Sequence, residues 1–76
     1  MKYRVPIELV GMNDVNKFVS IVTGLPGVIK LTDGEEYTVN ARSVIGALAS
    51  MEWDRLYCES DTDIYTKIQK FAKEDE

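Results

Sequence analysis

Few side chains in this sequence of 76 residues are equipped for covalent or acid–base chemistry: there is no histidine and only one cysteine, Cys58. Histidine is the side chain whose ordinary pKa lies near neutrality, so its absence removes the commonest general base. No CxxC pair supports a zinc site, and neither a P-loop nor a dinucleotide glycine fingerprint is present. Asp33, Glu35 and Glu36 cluster around a turn, while Asp61 and Asp63 open a helix. Acidic residues are favoured at both kinds of place for local reasons, hydrogen bonding in the turn and the helix dipole at the start. We therefore expect no enzyme, no metal and no cofactor. What remains is Ser43, in "VNARSVIGAL" (39–48), a hydroxyl set between the cation of Arg42 and an apolar run. Serine there could be a helix N-cap worth about 1 kcal/mol. It could equally accept a phosphate, adding a charge of about −1.5 to −2. The residues alone leave both open.

The elements that would position Ser43 follow from hydrophobic period. In "KYRVPIEL" (2–9), Tyr3, Val5, Ile7 and Leu9 alternate with Lys2, Arg4, Pro6 and Glu8, which predicts a strand with one buried face. Pro6 donates no N–H, so that strand belongs at a sheet edge, an edge open to pairing with a second copy. Asn13 or Asp14 is expected to cap a helix carrying Val15, Phe18, Val19 and Val22 at i, i+3, i+4 and i+7 and ending at Gly24. "VIKLT" and "EYTVN" predict two strands joined by a tight turn at Asp33 and Gly34, with Tyr37 and Val39 inward. Ser43 to Ser50 predicts a short helix and "RLYCES" a fourth strand with Leu56 and Cys58 on one face. A last helix, capped by Ser60 or Thr62, repeats Ile64, Ile68 and Phe71 and pairs Asp63 with Lys67. The expected fold is α+β, β-α-β-β-α-β-α, one four-stranded antiparallel sheet covered on one face by three helices, because a lone sheet must cover its hydrophobic side.

Nine basic and thirteen acidic residues give a net charge of −4, and the basic ones are scattered singly. Nucleic-acid binding needs several phosphates neutralised together, so it is disfavoured. No run approaches the roughly 20 apolar residues that span a bilayer. Without a leader, and with one thiol in an apolar-alternating run, the chain is expected in a reducing cytoplasm. Residues 73–76 are expected to fray as an acidic tail, since negative charge opposes the dipole at a helix C-terminus. The whole reads as one domain. Within the 44–51 helix, Val44, Leu48 and Met51 form one stripe, expected on the sheet, and Ile45 and Ala49 another, with Ile45 the expected exposed contact; an exposed apolar patch on so small a domain is a candidate partner surface. Trp53 is expected to cover the core at the helix end.

This element order, with "VNARSVIGAL" after the hairpin rhythm of "GVIKLTDGEEYTVNARS", resembles HPr, the histidine-containing phosphocarrier family of the bacterial sugar phosphotransferase system. The stretch is similar to the family's "NAKSIMG" segment, and the likeness runs from about Asp14 to Phe71. It implies an open-faced sandwich. In that family a loop after the first strand carries the phosphorylated histidine; here that loop is "GMNDVNK", with Asn13 at the place of the histidine or of the neighbouring arginine, depending on the gap. An amide cannot carry a phosphoryl group, so the carrier reaction is lost. The resemblance implies instead a catabolite-repression type of regulatory protein: Ser43 at the position modified by a serine kinase, and Arg42, Val44, Ile45 and Leu48 at a patch that docks a transcription regulator. The chain would be a monomer or weak dimer that binds a protein partner. A purely structural binding module without phosphorylation is the alternative.

Overall fold

The computed structural model describes residues 3–73. Its elements are β1 (Tyr3–Pro6), α1 (Gly11–Thr23), β2 (Ile29–Thr32), β3 (Thr38–Asn40), α2 (Val44–Ser50), β4 (Tyr57–Ser60) and α3 (Tyr65–Ile68), the last tightening into a 3₁₀ turn over Gln69–Phe71. The strands form one antiparallel sheet in the order β1-β4-β2-β3, giving the α+β layout that the hydrophobic periods predict. Register makes its two faces plain. Val5, Cys58, Leu31 and Val39 lie in one row across the sheet, and Arg4, Glu59, Lys30 and Asn40 in the next. Successive side chains of a strand point to opposite faces, so the first row meets the helices and the second meets water.

The core joins Ile29, Leu31 and Cys58 of the sheet to Val15, Phe18, Val19 and Val22 of α1 and to Ile68 and Phe71 beyond it. Phe18 and Phe71 meet edge to face, ring centroids 5.5 Å apart, a geometry aromatic quadrupoles favour. Burial also sets the chemistry of Cys58: removed from water, its thiol is pushed up from the usual 9.0 to about 12. We expect Ellman's reagent to leave native Cys58 unmodified and to react once the chain unfolds. The raised pKa stabilises the fold fully below about 9, and that contribution disappears as pH climbs toward 12, because only the unfolded chain can ionise there.

Several details depart from expectation. Neither Asn13 nor Asp14 is the cap of α1; Gly11, at φ 80°, turns the chain into the helix, and the Asp14 carboxylate reaches back to accept the Val10 N–H at 2.8 Å. The hairpin turn is longer than Asp33–Gly34. It runs from Asp33 to Tyr37, and Asp33 Oδ1 accepts the N–H groups of Glu35, Glu36 and Tyr37 at 2.9, 2.9 and 3.0 Å. The Glu35 amide and its neighbours hold the Asp33 carboxyl below its ordinary range, so this anchor persists at neutral pH and weakens only as acid protonates it. Ser60 and Thr62 do not cap the last helix: Ser60 Oγ accepts the Thr62 N–H within the approach, and α3 begins at Tyr65. Asp63 therefore precedes the helix and accepts the Tyr65 N–H at 3.1 Å instead of pairing with Lys67.

The edge strand is also less open than expected. Ile7 donates inward to Leu56, so Pro6 and Glu8 face outward; there Glu8 donates to the Phe71 carbonyl at 2.9 Å and the Pro6 carbonyl accepts the Lys73 N–H at 2.8 Å. The missing donor of Pro6 thus falls where no strand needs it. Lys73 is held rather than frayed, and the remainder of the expected tail, 74–76, lies outside the described residues. Among the described residues, no helix is long and apolar enough to cross a membrane.

Candidate functional site

Ser43 sits at the start of α2 in extended conformation, and its Oγ accepts the Gly46 N–H at 3.1 Å. It is a true N-cap, satisfying one of the donors that a helix start leaves without a partner. The approach is built by neighbours: Asn40 Oδ1 accepts the Arg42 N–H at 2.9 Å, the Asn40 carbonyl accepts the Ser43 N–H, and Ala41 is fully buried. Ser43 itself is half-buried.

Arg42 reaches across to α1. Its Nε donates to the Val22 carbonyl at 3.0 Å and its Nη2 to the Leu25 carbonyl. Val22 lies in the last turn of α1 and Leu25 just beyond its end, where carbonyls are left over from the helical pattern and the dipole is negative, so a guanidinium is well matched. The contact ties the start of α2 to the end of α1. At the other ends of the two helices, Leu9, before α1, and Ser50 and Met51, at the end of α2, line a groove of about 520 Å³.

The exposed face of α2 is apolar. Ile45 is 80% exposed, Leu48 40% and Val44 38%, three aliphatic side chains at i, i+1 and i+4 of one short helix. Here the expected division of α2 needs correcting, because Val44 and Leu48 are not on the core side and Met51 is only half-buried. The inward positions are Ala47 and Ser50. The reason is proximity to the sheet: a Cβ built on Gly46 would come within 3.3 Å of Val39 Cβ and of the Asn40 carbonyl. A helix this close to β3 accepts only small residues on its inner side, and its larger aliphatic groups turn outward.

Asn13 is exposed in the first turn of α1. Two exposed apolar residues nearby in sequence, Val10 and Met12, carried no periodic signal because they lie where α1 begins. Tyr37, expected inward, is 53% exposed and stacks on Trp53 at a centroid distance of 5.7 Å and 17° between planes. Trp53 is half-buried and packs on the core as expected. Among the described residues, no group of three or more acidic or cysteine side chains could hold a metal ion. No protein-family model, curated protein or solved structure matches the chain.

Proposed function

We propose that this chain is a non-catalytic protein-interaction domain that docks a partner through the outer face of α2 and is regulated by phosphorylation of Ser43. One observation supports it above the others: Val44, Ile45 and Leu48 are exposed together on a helix whose inner side is already filled by small residues. Burying one such side chain fully against a partner contributes about 1.5–3 kcal/mol. Ser43 lies next in sequence to Val44, so a phosphate on its Oγ would place about −1.5 to −2 of charge at the rim of this surface. That charge strengthens docking to a partner with a facing cation and weakens docking to one without. The resemblance supplies the partner classes, a serine kinase and a transcription regulator. The blunted edge of β1 fits a monomer, and the buried, unpaired Cys58 fits a reducing cytoplasm.

A second reading, a binding module without phosphorylation, has its own support, because capping already gives the Ser43 Oγ a structural role. Ser43→Ala is expected to lower unfolding stability by about 1 kcal/mol in a urea titration, with the fold retained. The two readings separate on intact mass after incubation with an HPr serine kinase and ATP. One added phosphate on the wild type, absent from Ser43→Ala, supports regulation; no phosphate, with the kinase active on a genuine HPr, removes the switch and leaves the docking surface.

A further inference from the structure

The second exposed apolar feature is the stack of Tyr37 on Trp53, which joins the hairpin between β2 and β3 to the loop between α2 and β4. Both segments carry acidic residues. Glu35 and Glu36 immediately precede Tyr37, and Glu52 and Asp54 flank Trp53. All four carboxylates are exposed, and among the described residues none has a hydrogen bond or ion pair, in contrast to Asp33, which is committed to the turn. Arg55 is the one cation adjoining them in sequence.

Stacking uses one face of each ring and leaves Tyr37 more than half exposed. The face of an aromatic ring carries negative quadrupole charge and attracts cations, and guanidinium also stacks on it. Exposed carboxylates adjoining the two rings in sequence add to that potential and repel phosphates, so the combination selects for positive charge and against nucleic acid. Arginine fits better than lysine, because its flat fork can lie on the ring while bonding a carboxylate at the rim. We infer that Tyr37 and Trp53 form a receiving surface for an arginine-bearing segment of a partner protein, separate from the α2 surface and independent of it.

The test uses the full chain and an N-acetylated hexa-arginine amide as probe, followed by two-dimensional NMR at low and at moderate salt. The expected shifts centre on Tyr37, Trp53, Glu36 and Glu52. Tyr37→Leu should weaken binding about two- to fivefold, and a Glu36→Gln, Glu52→Gln double variant, which leaves the stack in place, should weaken it and flatten its salt dependence. Tyr65→Leu, altering an exposed tyrosine on α3, should bind as the wild type does. Unchanged affinity of Tyr37→Leu would overturn the inference, as would shifts spread evenly over all acidic residues. Shifts at the stack that grow with protein concentration in the absence of peptide would also overturn it, since a second copy would then be the occupant.

Discussion

Phe18→Ala is expected to remove a large share of this protein's stability at room temperature. The ring is fully buried and packs edge to face on Phe71, joining α1 to the segment that follows α3. Phenylalanine-to-alanine changes in cores remove about 3–5 kcal/mol through lost burial and the cavity left behind. A domain of this length holds only about 4–11 kcal/mol in total. A urea midpoint lowered by the equivalent of about 3–5 kcal/mol is the expected result; a stability loss below about 1 kcal/mol would mean that α1 does not depend on this contact.

The second large effect concerns binding and should leave stability alone. Ile45 touches little of its own protein, being 80% exposed, so Ile45→Ala should change unfolding free energy by less than about 0.5 kcal/mol. Docking loses whatever Ile45 buries against the partner. An aliphatic side chain contributes about 1.5–3 kcal/mol when fully covered, so the dissociation constant should rise about 10- to 150-fold. Ile45→Glu should do more, since a carboxylate must then be desolvated at an apolar contact. Calorimetry of unfolding and of binding on the same variants distinguishes a docking residue from a structural one.

Much of the fold is written locally. Val15, Phe18, Val19 and Val22 keep helical spacing and are all buried, and the alternation around Cys58 places it correctly on the inner face. Such patterns survive because each residue's fate depends on its own element's period. What failed depends on contacts remote in sequence. Gly46 approaches Val39 only because α2 is laid on β3, and that approach, invisible in the helix pattern, turns Val44 and Leu48 outward. The outer edge of β1 is met by residues 71–73 from the far end of the chain. Local side-chain hydrogen bonding also competes with periodicity: Asp14, Asp33 and Asp63 each take nearby backbone N–H groups and so move the expected boundaries of α1, the hairpin and α3.

The site divides in the same way. Ser43 was legible as a cap because capping is a local motif, and Ile45 is exposed as expected, although Val44 and Leu48, expected on the sheet, are exposed beside it. Arg42 was legible as a cation but not as a tie to α1, since its acceptors Val22 and Leu25 are brought to it by the packing of the two helices. The guanidinium that the resemblance offers to a partner is instead engaged in holding the start of α2 against the end of α1.

Docking of a protein on the outer face of α2, as proposed, has a direct test. The most direct measurement compares the proteins retained from a lysate of the source cells by the immobilised wild type, by Ile45→Glu and by Tyr65→Glu, the last altering an exposed apolar residue on α3. A partner is expected to be retained by the wild type and by Tyr65→Glu and lost from Ile45→Glu. The same proteins retained equally by all three, with Ile45→Glu folded, would contradict it.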